Sequence, residues 1–181
     1  SASHELLFNC HERANYIIKC GGAEIPVHRN PIEINAKDLL NLIEAKAKET
    51  NSVIVELEGV DRDVLMKFLE YCYIPFEFKH WKEKFSFQLL EMAEKFNANL
   101  LFDNCLRMMS CLLTTDNVLP TMEIAHRHNH QILLCNCIAF CKMYYGELED
   151  AIAESRFQKM IVDSMEQLPS TVIELTDALI H

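Results

Sequence analysis

The sequence predicts an α+β fold, with a strand-containing first half and a second half made of helices alone. Three observations predict it. Only 4 Gly and 5 Pro among 181 residues leave too few turn formers for an all-β chain. Half of the residues are hydrophobic, enough to bury a core in one domain or two small ones. The three runs that read as strands, within 16–20, 24–27 and 53–57, lie before residue 60, and beyond residue 85 apolar residues recur at helical spacing.

In chain order, residues 3–8 carry Leu6, Leu7 and Phe8 and suit one helical turn. Tyr16-Ile17-Ile18-Lys19-Cys20 reads as a strand, Gly21-Gly22 as a hairpin turn and residues 24–27 as the return strand. Pro26 lacks an N–H and puts that strand at a sheet edge or strand end. Pro31, Ile32, Ile34, Leu39, Leu40 and Ile43 predict helical turns ending near Ala45, and the polar run 45–52 reads as a loop. Residues 53–57 are a third strand, closed by Gly59. Asp61 is a candidate cap for a helix carrying Val64, Leu65, Phe68, Leu69 and Cys72, which Pro75 stops. The stretch 76–84 is charged and aromatic without a period. Its Phe76, Phe78, His80 and Trp81 either form an exposed partner contact or pack back on the domain.

Helical spacing returns with Phe85, Leu89, Ala93 and Phe96 on one face, and Asn97 suits the C-terminal cap. Leu100, Leu101, Cys105, Leu106 and Met109 mark the next helix. Thr115 or Asp116 is a candidate cap for a helix over 117–127, where Pro120 is tolerated near the start. Another helix covers 131–144, and two short ones fill 148–181.

The charge balance narrows the function. With 17 Lys and Arg against 27 Asp and Glu, the net charge is −10. Binding to nucleic acid or to an anionic membrane needs clustered cations, so both are excluded. No uninterrupted apolar run reaches about 18 residues, the length of a membrane span, and no signal-peptide pattern opens the chain. Eight cysteines would suit a disulfide framework, but Cys72, Cys105, Cys111, Cys137 and Cys141 fall in apolar helical runs. They read as small core hydrophobes in a reducing compartment, the cytosol or nucleus.

Metal and catalytic readings are weak. His126, His128, His130, Cys135, Cys137 and Cys141 are zinc-ligand types close together, but of the cysteines only Cys137 and Cys141 share a helix face. Core cysteines with solvent-facing histidines are the reading preferred here, and no metal or other cofactor is expected. No phosphate-cradling glycine loop, HExxH motif or nucleophile elbow is present, so no catalytic residue is named. A zinc-dependent enzyme or metal sensor remains as a third hypothesis, which metal analysis of the purified protein tests.

Strand, glycine turn, strand, a histidine, helix, third strand, then a helix ending in tyrosine: this order resembles the BTB/POZ domain. Val27-His28-Arg29 is similar to the family's histidine and basic residue after the second strand. Phe68-Leu69-Glu70-Tyr71-Cys72-Tyr73 resembles its tyrosine-ended helix, and Leu89-Leu90-Glu91-Met92-Ala93-Glu94-Lys95-Phe96 the helix that follows. From Thr115 the chain resembles the helical BACK or 3-box extension of cullin-3 substrate adaptors. The resemblance implies a BTB/POZ domain over 3–113 and a BACK/3-box extension over 114–181. It departs from the family at Asn15, where an Asp usually pairs with the basic residue, here Arg29. Arg29 is therefore expected to be solvated or paired with another acid. The usual Tyr-Thr-Gly is also absent after Tyr73.

The function implied is that of an adaptor that docks the cullin-3 N-terminal region and presents substrate for ubiquitination through regions outside this chain. Leu42-Ile43-Glu44 resembles the hydrophobic-x-Glu docking motif, with Phe96 beside it and the helix over 133–144 extending the contact. Leu6, Leu7, Phe8, Asn15 and Arg29 are the expected interface of a homodimer. The alternative is a BTB self-association scaffold, transcriptional or cytoskeletal, without cullin binding.

Overall fold

The structure is a computed structural model and describes residues 2–74 and 83–165. Its elements run α1 (Ala2–Leu7), β1 (Tyr16–Cys20), β2 (Ala23–Val27), α2 (Arg29–Asn35), α3 (Lys37–Thr50), β3 (Ile54–Glu56), α4 (Arg62–Tyr73), α5 (Phe87–Lys95), α6 (Asn99–Leu112), α7 (Val118–Arg127), α8 (Gln131–Met143), α9 (Tyr145–Ile152) and α10 (Ser155–Met165). The chain divides into two compact units, residues 1–105 and 106–181. The division along the chain falls inside α6, whereas the sequence reading puts it after that helix, at 113.

The first unit is built on a three-stranded sheet of order β2-β1-β3, antiparallel between β1 and β2 and parallel between β1 and β3. Gly21 and Gly22 have φ of +55° and +79°, the mirror-image turn whose twist matches a tight hairpin. Pro26 faces Ile17 from β2, an edge strand, where a missing N–H on the open side costs nothing. Parallel pairing of β3 needs a crossover, and α2 and α3 supply it.

Ile18, Ile32, Leu39, Ile43, Leu65, Phe68 and Leu89 form the core of this unit and are fully buried. The Asp61 carboxylate accepts from the Val64 N–H at 3.0 Å and starts α4. Ser86, a cap the sequence reading did not name, accepts from Leu89 N–H at 3.2 Å and starts α5. Asn97 ends α5 at φ +51°, and the Ala98 N–H reaches back to the Ala93 carbonyl at 3.0 Å.

One boundary differs from expectation and bears on function. The polar run 45–52 is helix as far as Thr50. Asn51 closes it at φ +50°, and Ser52 N–H bonds the Ala47 carbonyl at 3.0 Å, a Schellman-like end. The sequence Ala45-Lys46-Ala47-Lys48-Glu49 consists of strong helix formers. Its polarity marks a solvent-facing helix side rather than a loop.

The second unit is helical throughout its described residues. Reciprocal bonds between Thr114 and Asn117, at 2.9 and 3.2 Å, lead into α7, so neither Thr115 nor Asp116 is the cap. Asn129 at φ +52° turns the chain, and His130 Nδ1 accepts from Leu133 N–H at 3.2 Å to open α8. Val118, Met122, Leu133, Cys137, Ile138 and Cys141 are buried between these helices and their neighbours. Among the described residues no helix is long and apolar enough to cross a membrane.

Candidate protein-interaction surface

The expected docking residues separate on α3. Leu42 is half-buried, Ile43 is 0% exposed and Glu44 is half-buried. Because α3 runs on to Thr50, Leu42-Ile43-Glu44 lies in mid-helix and not at its end. Leu42 and Glu44, two residues apart, are about 200° apart around the axis. Leu42 lines a groove of about 850 Å³ with Lys46, Glu49, Ile54 and Phe96. Glu44 lines a different hollow with Tyr16, Lys48 and Val53. The motif's two anchors therefore do not share a face, and Ile43 is a core residue with no surface to offer.

Phe96 is a correction of the same kind, since it is 4% exposed. Its ring packs on Phe68 with centroids 5.7 Å apart, and the Lys95 ammonium lies 5.4 Å from its centroid. It forms a wall of the Leu42 groove and presents little surface itself. Residues missed by the sequence reading complete the groove: Lys46 and Glu49 from the misread end of α3, and Ile54 from β3, which is 41% exposed. Continuing the helical period through 45–50 would have found the first two.

Arg29, expected to be solvated or paired with another acid, is both. Its Nε lies 3.4 Å from Glu44 Oε1 and its guanidinium donates to the Tyr16 hydroxyl at 3.2 Å, in the open. The Tyr16 hydroxyl and then the Glu44 carboxylate hold the guanidinium above its usual pKa range. Asn15 serves the backbone instead, its Oδ1 accepting the Arg29 N–H at 2.8 Å.

At the N-terminus, Leu6 is 82% exposed, while Leu7 and Phe8 are half-buried. Phe8 packs on Tyr73 with ring centroids 5.7 Å apart. Only one of the three expected interface side chains is fully presented.

His28 is a structural hub. Its Nε2 lies 2.7 Å from the Glu12 carbonyl, Nδ1 lies 2.8 Å from the Tyr73 hydroxyl, and its own N–H donates to that hydroxyl at 2.6 Å. A carbonyl only accepts, so Nε2 carries the proton and Nδ1 accepts from the tyrosine. This ties β2 to the end of α4. The same burial pushes the Tyr73 hydroxyl pKa up.

Cys72, Cys105, Cys137 and Cys141 are buried and their thiol pKa values are raised by burial, Cys141 to about 12. Cys111 is exposed, contrary to its reading as a core residue. His126 also departs from the solvent-facing expectation, because its Nε2 is buried and has no hydrogen-bond partner among the described residues. Among the described residues, no three His, Cys, Asp or Glu side chains are grouped to hold a metal ion. Phe76, Phe78, His80 and Trp81 lie outside the described residues.

The chemistry available here is recognition: an apolar-walled groove with mixed charge at its rim. A family profile described as the BTB/POZ domain matches residues 5–113. A BTB/POZ domain-containing protein of Arabidopsis thaliana is 28% identical over 114 residues, 63% of this chain and 46% of that protein. BTB/POZ and TAZ domain-containing protein 1 of the same plant is 23% identical over 136 residues, 74% of this chain and 37% of that protein. Kelch-like protein 24a of Danio rerio is 24% identical over 152 residues, 83% of this chain and 24% of that protein. The chain spans less than half the length of each of these relatives.

Proposed function

The chain belongs to the BTB/POZ family, whose domains are generally non-enzymatic protein-interaction modules, and from that premise we propose that it is an adaptor docking the cullin-3 N-terminal region. In this reading the BTB/POZ domain covers 3–113 and a BACK/3-box extension 114–181. Substrate is presented for ubiquitination by regions outside this chain, in the cytoplasm or nucleus. Similarity to a Kelch-like protein over 83% of the chain supports the reading, because a Kelch domain is the kind of recognition module the adaptor would carry elsewhere.

The observation that carries the proposal is Leu42, a half-exposed leucine on an otherwise charged helix side, at the mouth of a groove walled by Phe96 and Ile54. A buried apolar anchor at an interface centre contributes about 2 kcal/mol or more, at least about 30-fold in affinity. Glu49 is the acid of α3 that lines the same groove, with Glu56 and Glu58 beyond it. Glu44 acts through Arg29 on another face. Leu42→Glu is expected to abolish binding to the purified cullin-3 N-terminal region while the melting temperature stays nearly unchanged. Failure of the wild-type chain to bind that region removes the adaptor reading.

A self-association scaffold is the second reading, favoured by Leu6 at 82% exposure on α1. Leu6→Glu then converts a dimer to a monomer in light scattering. A wild-type chain that is monomeric at tens of micromolar, about the range where a weak dimer still forms, removes it.

A further inference from the structure

We propose that the outer edge of β3 is a strand-addition site. An extended segment of a partner protein, apolar and bearing Lys or Arg, pairs with Ile54 and Glu56 and lays its side chains in the Leu42 groove. The inference rests on the docking role proposed for that groove and adds how the occupant is held.

The backbone supplies the first argument. Parallel pairing turns the main-chain groups of residues 53 and 57 toward β1: Ile17 N–H donates to the Val53 carbonyl at 2.9 Å, and Leu57 N–H donates to the Lys19 carbonyl at 3.0 Å. Ile54 and Glu56 consequently face the other way. Ser52 Oγ takes the Ile54 N–H at 3.1 Å. The Ile54 carbonyl and the Glu56 N–H and carbonyl have no protein partner among the described residues. Such a row selects the conformation of its ligand, because an extended chain presents N–H and C=O groups at the matching two-residue spacing.

The groove supplies the second argument. Three unpaired groups on so short an edge hold a ligand weakly, so side chains must contribute the rest. Leu42, Ile54 and Phe96 offer apolar walls beside the edge. Glu49, Glu56 and Glu58 outnumber Lys46 and Lys95 on the same lining, in a chain of net charge −10. The complementary segment is therefore basic between its apolar positions.

Panning a display library of linear random peptides against the whole chain tests this, with Glu56→Pro as the deciding variant. Proline deletes the outward N–H, spares the ladder to β1, and is accepted at sheet edges. Glu56→Ala removes the carboxylate alone. The expected peptides alternate apolar residues with Lys or Arg and bind wild type and Glu56→Ala within a few-fold of each other. On Glu56→Pro they lose about tenfold or more, the worth of about one main-chain hydrogen bond, with the melting temperature retained. Should Glu56→Pro melt early, N-methylation of the best peptide's amides, read on the wild-type chain, replaces it. One alternating set of positions is expected to abolish binding and the other to leave it.

Equal binding to Glu56→Pro, insensitivity to N-methylation, or a library yielding no binder overturns the proposal. So does a wild-type dimer that Glu56→Pro turns into a monomer, since a second copy then occupies the edge. Edge-dependent peptide binding without cullin-3 binding removes the docking reading and keeps this one. Cullin-3 binding that Leu42→Glu abolishes and Glu56→Pro leaves intact, with no peptide selected, does the reverse.

Discussion

α3 and α8 are nearly equal in length, 14 and 13 residues, yet they differ in how plainly their sequences mark the buried face. On α3 the charged residues Lys37, Asp38, Glu44, Lys46, Lys48 and Glu49 occupy the outer positions, and Leu39, Leu40 and Ile43 are left to turn inward, all buried. On α8 the only charge is Lys142. Leu133, Leu134, Cys137, Ile138 and Cys141 are buried, but Ile132 and Met143 are 72% and 76% exposed. Charges sort a helix by the cost of desolvating them. Where a helix has almost none, only the neighbour it packs on, here α7, selects its inner face.

The largest test of this contrast is to place a carboxylate at adjacent positions. Ile43→Asp buries an unpaired charge at a site of 0% exposure and is expected to cost about 4 kcal/mol or more, abolishing the cooperative transition of the first unit in calorimetry. Leu42→Glu, one residue away, leaves that transition in place. On α8 the same pattern separates Ile138→Asp, at 0% exposure, from Ile132→Asp. Equal effects within either pair contradict the assignment of faces.

A second test uses the polar lock of the first unit. His28→Ala removes two ring hydrogen bonds and leaves the buried Tyr73 hydroxyl without its acceptor, at an expected cost of about 2–3 kcal/mol. Combined with Tyr73→Phe the loss is smaller than the sum of the two, because they share one network. Additive losses in denaturant titrations contradict the shared bond.

The third test is pH. Burial raises the pKa of Cys137 and Cys141 from the ordinary 9.0, Cys141 to about 12, while α3 has no cysteine. A thiol raised by folding contributes stability that is intact below its unfolded pKa and is lost as pH rises through the folded value. Stability is therefore expected to fall from pH 9 toward about 12. Cys137→Ala/Cys141→Ala should flatten that fall in alkaline melting curves. At neutral pH a thiol reagent is expected to label Cys111, which is exposed, long before either α8 thiol. The smallest test is Asp61→Ala, which deletes the cap of α4 for about 1 kcal/mol.

Much of the first unit was legible residue by residue. The strand Tyr16–Cys20, the glycine turn, the edge position of Pro26, the Asp61 cap and the turn at Asn97 follow from local backbone chemistry. Each needs only the residues beside it. At the end of α3 the polarity of the residues points to a loop, whereas their helix propensity points to the helix the structure has there. The loop reading carries the docking motif to a helix end it does not occupy. It also hides Lys46 and Glu49, which line the groove with Leu42.

The sequence by itself determined the α+β class, the order of elements and the family, because periodicity, turn residues and caps are properties of short segments. Only the tertiary structure decided that Leu42 and Glu44 face different hollows, that Phe96 is a wall rather than a knob, and that Arg29 meets Glu44 across 15 positions of sequence. Which side of a helix meets the rest of the molecule depends on crossings that bring distant segments together. A local pattern narrows that choice when charges bar one side, as on α3, and leaves it open when nothing does, as on α8.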